Sequence, residues 1–103
     1  MRIAVATLKK RETSQISVQA GRAPYYLIFN ENFELLETVS NPFKRGGGGA
    51  GFGVVKMLAD KKVDTVIAGG FGKNMIETLT ERGIKYLEAT GDVKKALLQI
   101  GRE

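Results

Sequence analysis

The sequence predicts an α/β fold, a five-stranded mixed sheet with three helices in the order βββαβαβα. Three observations predict it. Short runs rich in β-branched and aromatic residues recur at 3–7, 25–29, 33–40, 64–68 and 84–87, as strands require. In the second half these runs alternate with segments whose apolar residues fall at helical spacing, which implies parallel pairing through helical crossovers. In the first half two runs are joined by turn-forming Asn30-Glu31-Asn32, which implies an antiparallel hairpin. The simplest sheet puts the first strand in the middle, gives the order 3-2-1-4-5, and makes the second strand antiparallel to the rest.

Each element has its own signal. Residues 3–7 are an unbroken apolar run, fit for a buried central strand. Residues 8–23 include Lys9-Lys10-Arg11-Glu12 and show no clean period, so a long loop is expected. Pro24 opens the strand at 25–29, where a missing N–H is tolerated. The strand at 33–40 is expected to send Phe33, Leu35, Glu37 and Val39 to one face and Glu34, Leu36 and Thr38 to the other. Asn41-Pro42 ends it. After the glycine stretch 46–53, Val54, Val55, Met57 and Leu58 supply the apolar face of a first helix, with Lys61 and Lys62 near its end, where cations suit the helix dipole. Gly69-Gly70-Phe71-Gly72 turns the fourth strand into a second helix carrying Met75, Ile76 and Leu79 and closed by Gly83. In the third helix Val93, Ala96, Leu97 and Ile100 recur at i, i+3, i+4 and i+7, with Asp92 as N-cap. No repeat or linker divides the chain, and one domain over 1–103 is expected.

Composition excludes much chemistry. Of 103 residues, 43% are hydrophobic and 26% charged, a globular balance that can bury a core without staples. There is no cysteine and no histidine. Disulfides, thiol nucleophiles, cysteine-ligated clusters and histidine-based catalysis are therefore excluded. A two-metal nuclease would want carboxylates on the central strand, and 3–7 has none. The formal net charge of +5 favours an anionic partner. No apolar run is long enough for a membrane span or a signal peptide, so a cytoplasmic protein without membrane attachment is expected.

In the expected topology the loops at 8–23, 41–53, 68–74 and 88–92 share the carboxyl end of the parallel strands, where open α/β sheets bind ligands. Lys9, Lys10, Arg11, Arg22, Lys44, Arg45 and Lys73 fall there, against Glu12, Glu88 and Asp92. Two of the loops are glycine-rich and lead into helix N-termini, whose free N–H groups and dipole favour an anion. Gly46, Gly48 and Gly51 formally match G-x-G-x-x-G, but a hairpin strand is the wrong context for a dinucleotide site, and no Lys-Ser/Thr follows for a P-loop. The expected site has Arg22, beside Gly21, as the positioning cation. Gly48, Gly49 and Gly51 form a closing loop, Gly69, Gly70 and Gly72 a backbone anion nest, and Lys73 adds charge. This is a binding site for an anionic small ligand, with no catalytic residue and no protein-ligated metal. The alternative is an interaction module in which a protein or nucleic acid contacts the same basic face, nucleic acid being the less expected of the two.

The run Ser17-Val18-Gln19-Ala20-Gly21-Arg22-Ala23-Pro24-Tyr25-Tyr26, with Asn41-Pro42, the glycine-rich entry to the first helix, Val66-Ile67-Ala68-Gly69 and Gly83-Ile84, resembles the dinitrogenase iron–molybdenum cofactor-binding family. These are small carriers and accessory domains of nitrogenase cofactor assembly. The resemblance covers nearly the whole chain and is most specific at 21–24. It implies a ribonuclease-H-like fold with the strand order above. It also implies a non-catalytic carrier of an anionic iron–sulfur or iron–molybdenum cluster or its precursor, with a protein partner in cofactor delivery. The family's segment commonly reads Ser-x-His-Phe-Gly-Arg-Ala-Pro, and this chain has Gln19-Ala20 where His-Phe would fall. A cluster would then be held by charge and backbone N–H groups, or through a weak ligand such as Met57 or Met75.

Overall fold

The structure, a computed structural model, describes residues 1–43 and 50–101. The elements are β1 (Arg2–Thr7), β2 (Tyr25–Asn30), β3 (Leu35–Ser40), α1 (Ala50–Asp60), β4 (Thr65–Ala68), α2 (Lys73–Glu81), β5 (Lys85–Glu88) and α3 (Val93–Gly101). The strands form one sheet in the order β3-β2-β1-β4-β5. β2 is antiparallel to β1 and β3, while β1, β4 and β5 pair in parallel. This is the α/β topology expected from the sequence.

β1 owes its apolar run to burial on both faces. Its two-residue period sends Ala4 and Ala6 to one side of the sheet and Ile3 and Val5 to the other. On the alanine side lie Val54, Val55 and Leu58 of α1 and Met75 and Leu79 of α2. On the other side lie Val93, Ala96 and Leu97 of α3. β2 divides the same way, with Tyr26 and Ile28 under α1 and α2, and Leu27 and Phe29 under α3. Helices on both faces are the condition for a largely parallel sheet.

Caps match the sequence. Gly83 closes α2 with φ 70, and Asp92 Oδ1 accepts the Lys94 N–H at 2.7 Å at the start of α3. Two boundaries differ by more than one residue. β3 starts at Leu35, not Phe33, because Phe33 takes φ 63 in a turn organised by Asn30. The Asn30 Oδ1 accepts the N–H groups of Asn32 and Glu34 at 2.9 and 3.0 Å. A register shift then pairs Phe29 with Leu35 and Ile28 with Glu37, so the expected alternation breaks at Leu36. Both Leu35 and Leu36 are exposed. The first helix starts at Ala50, inside the glycine stretch rather than after it, and ends before Lys61, which pairs with Glu37 at 2.6 Å. Among the described residues no helix is long and apolar enough to cross a membrane.

Candidate functional site

The site is built where the parallel neighbours β1 and β4 end. The long loop after β1 doubles back, and the Ser17 N–H bonds the Ala6 carbonyl of β1 at 2.8 Å. On its other side the Ser17 carbonyl accepts the N–H of Gly69, just beyond β4, at 2.8 Å, and the Ala20 N–H donates to the Gly70 carbonyl at 3.0 Å. Residues 16–20 thus fill the slot between the two strand ends. Gly69 makes this possible, since a Cβ there would lie 2.8 Å from the Val18 Cα.

The chain then turns. The Ala23 N–H reaches the Ala20 carbonyl at 3.4 Å, leaving Gly21 and Arg22 at the corner. The Ala20 carbonyl also accepts the hydroxyl of Tyr26, a phenol whose pKa burial pushes far up. Asn41, buried at the end of β3, holds the corner from the other side. Its Nδ2 donates to the Gly21 carbonyl at 3.1 Å and the Ala23 carbonyl at 2.9 Å. Its backbone N–H donates to the Pro24 carbonyl at 3.0 Å, and its Oδ1 accepts the Phe43 N–H at 2.8 Å. The Arg22 residue is exposed on this hydrogen-bonded base.

Two helix starts stand opposite. Gly51, in the first turn of α1, sits where a Cβ would be 3.1 Å from the Met75 Cβ of α2, so glycine lets the two N-termini approach. The N-cap of α2 is Gly72, extended and with no side-chain cap. The first-turn N–H groups of α2 therefore lack intrahelical acceptors. A cavity of about 470 Å³ opens between residues 18–22, Gly51 and Phe52, and residues 70–75. Its charged lining is Arg22 and Lys73, with no carboxylate among the described residues. Lys73 enters no ion pair among those residues. The positive ends of the helix dipoles add to these cations. Val18, Phe52 and Phe71 supply apolar wall.

Of the residues expected at the site, Gly21, Arg22, Gly51, Gly70, Gly72 and Lys73 line this one cavity. Gly69 does not, and its role is close packing against Val18. Gly48 and Gly49, with Lys44 and Arg45, lie outside the described residues. None of Gly69, Gly70 and Gly72 has positive φ, so an anion nest at these glycines would not use alternating right- and left-handed backbone. The first turn of α2 adds backbone amides without intrahelical acceptors. Lys9, Lys10 and Arg11 stand apart from the cavity, with Lys10 over the Tyr25 ring at 5.4 Å. Met75 is buried in the core and also lines the cavity, whereas Met57 lines a separate groove. No group of three or more carboxylates that could hold a metal ion converges among the described residues.

Sequence reasoning missed the supports of Arg22, namely Asn41 and Tyr26. An asparagine ending a strand before proline signals local backbone bonding, but its partners here lie 18 and 20 residues away.

No curated protein matches the chain significantly. Solved structures do. A candidate NifB protein from Thermotoga, determined by NMR, is 30% identical, with a TM-score of 0.82 over 98% of this chain and 87% of that one. The apo form of the orange protein from Desulfovibrio gigas is 24% identical, with a TM-score of 0.86 over 96% and 85% of the two chains. A candidate dinitrogenase from Methanocaldococcus jannaschii is 17% identical, with a TM-score of 0.66 over 99% and 88%. At these two lower identities the likeness is one of fold. Residues 1–102 match the dinitrogenase iron-molybdenum cofactor family along their whole length, and the chain belongs to that family.

Proposed function

We propose that this chain is a small carrier that holds an anionic iron–molybdenum cofactor, or a metal–sulfide precursor of it, as cargo without altering it chemically. The cargo sits in the cavity between residues 18–22 and the N-termini of α1 and α2. The observation that carries this reading is the charge of one cavity: Arg22, Lys73 and the uncapped first turn of α2 line it, and no described lining residue is acidic. The donor set decides how the cargo is held. With no cysteine or histidine, no described cluster of carboxylates, and the weak thioether of Met75 as the soft donor in the described lining, the residues do not suit direct ligation of iron or molybdenum. They suit an anion that keeps its own sulfide shell and is gripped through it by N–H donors. A guanidinium is weakly hydrated and matches a soft, spread charge. Val18, Phe52 and Phe71 suit the same kind of ligand better than a strongly hydrated phosphate.

Titration with tetrathiomolybdate, a molybdenum–sulfur dianion, tests this at low ionic strength. The parent is expected to bind, and Arg22→Ala to bind about tenfold more weakly, a loss of about 1.4 kcal/mol that exceeds its loss of folding stability. A parent that does not bind, or an Arg22→Ala protein with parental affinity, overturns the proposal.

A further inference from the structure

We infer that Asn41 is a positioning residue for Arg22, and that its carboxamide sets the anion affinity of the site without touching the anion. The inference rests on the anion-binding reading above and names a residue outside the cavity that controls it. The turn bearing Arg22 is closed by the Ala23 N–H on the Ala20 carbonyl, a bond that is long at 3.4 Å. Asn41 adds a hold on the backbone at either side of Arg22. Both Nδ2 protons are used, one on the carbonyl of each chain neighbour of Arg22, Gly21 at 3.1 Å and Ala23 at 2.9 Å. The remaining acceptor, Oδ1, takes the Phe43 N–H at 2.8 Å, so all three carboxamide positions are committed inside a side chain that is 2% exposed. The backbone N–H of Asn41 holds the Pro24 carbonyl at 3.0 Å, which fixes the clamp to the β2–β3 hairpin. Only a planar amide offers two donors and an acceptor in this fork. Holding the corner in advance removes the ordering cost that a mobile Arg22 would meet on binding.

Asn41→Ala leaves two carbonyls without their donor and also lowers stability, so the test needs a readout that stability alone would not move. The first uses the ligand-free protein. In folded Asn41→Ala, ¹⁵N relaxation is expected to show the Arg22 amide order parameter falling from about 0.85 to below about 0.6, with β1 unchanged. If Asn41→Ala does not fold, Asn41→Ser carries the same test, because its hydroxyl is too short to span both carbonyls. An unchanged Arg22 order parameter in a folded variant overturns the inference whether or not any anion binds. The second readout is a double-mutant cycle with tetrathiomolybdate. Asn41→Ala is expected to weaken binding about tenfold when Arg22 is present and less than about twofold in an Arg22→Ala background. Equal losses in both backgrounds overturn the inference. A parent that fails to bind tetrathiomolybdate sinks the carrier reading instead, and the relaxation measurement then decides the role of Asn41 alone.

Discussion

Gly69 lies so close to Val18 that an added methyl group would fall 2.8 Å from the Val18 Cα and 3.1 Å from the Ser17 carbonyl oxygen. These neighbours are backbone, so they cannot rotate away, and the Gly69 N–H is tied to that same carbonyl at 2.8 Å. Gly72 is the contrast, with nothing within 4 Å of an added Cβ and φ −71. Gly69→Ala is expected to destabilise the fold by about 1–3 kcal/mol through overpacking. Gly72→Ala is expected to shift stability by less than about 0.5 kcal/mol. Urea denaturation of the two variants checks this, and equal effects would remove the packing account of Gly69.

Asp92 caps α3 through Oδ1, which accepts the N–H of Lys94 at 2.7 Å and lies 3.4 Å from that of Lys95. The cap stands beside the long loop, since Gly91 and Ser14 offer carbonyls to the Ile16 and Val93 N–H groups at 2.8 and 3.3 Å. Those backbone bonds survive a side-chain change. Asp92→Ala is therefore expected to cost about 1 kcal/mol, while Asp92→Asn, which keeps the acceptor, stays within a few tenths. Midpoints of denaturant unfolding measure both, and a full loss in Asp92→Asn would contradict the cap.

What the sequence makes legible follows from how locally it is written. Ile3, Ala4, Val5 and Ala6 announce a central strand because burial on both faces forbids polar alternation. Val93, Ala96 and Leu97 announce α3 because one helix stripe faces the core. The start of β3 is not legible, because the Asn30 side chain and a bulge at Leu36 set its register across the hairpin. At the cavity, Arg22, Gly70, Gly72 and Lys73 can be placed together from topology alone, since parallel strands deliver their following loops to one end. Asn41 cannot, because its partners come from a loop that only the folded sheet brings near. Gly69 is visible as a glycine, but whether it packs or binds depends on where Val18 lies.

Tyr26 gives the fold an alkaline limit. The phenol is buried in the core with its hydroxyl donating to the Ala20 carbonyl, and burial raises its pKa far above the usual value. For an acid raised in the folded state, the native protein keeps a proton that the unfolded chain loses above about pH 10. The contribution is therefore complete below about pH 10 and falls by about 1.4 kcal/mol per pH unit above it. Tyr26→Phe is expected to lose about 1 kcal/mol near neutrality with its hydrogen bond. It should then decline less steeply than the parent as pH rises from about 10 to about 11. Denaturation at several pH values reads the slopes, and parallel slopes would count against Tyr26.

Lys73 separates binding from stability, because charge at the first position of α2 acts on the two in opposite directions. It is exposed and, among the described residues, in no ion pair, so its removal breaks no internal contact. At a helix N-terminus a cation opposes the dipole and an anion suits it. Lys73→Glu is therefore expected to leave stability unchanged or raise it by about 0.3–1 kcal/mol. The same change replaces one of the two described cations of the cavity by a negative charge, leaving Arg22 to share the cavity with a carboxylate. Tetrathiomolybdate binding should fall by at least about tenfold, or about 1.4 kcal/mol. Salt distinguishes charge from shape. Raising ionic strength from about 0.01 M to about 0.15 M shortens the Debye length from about 30 Å to about 8 Å, so the parent's affinity should drop with salt more steeply than that of neutral Lys73→Gln. Identical salt slopes in parent and Lys73→Gln would show that Lys73 lends the cavity no useful charge, and a loss of stability in Lys73→Glu would show that it holds the fold instead.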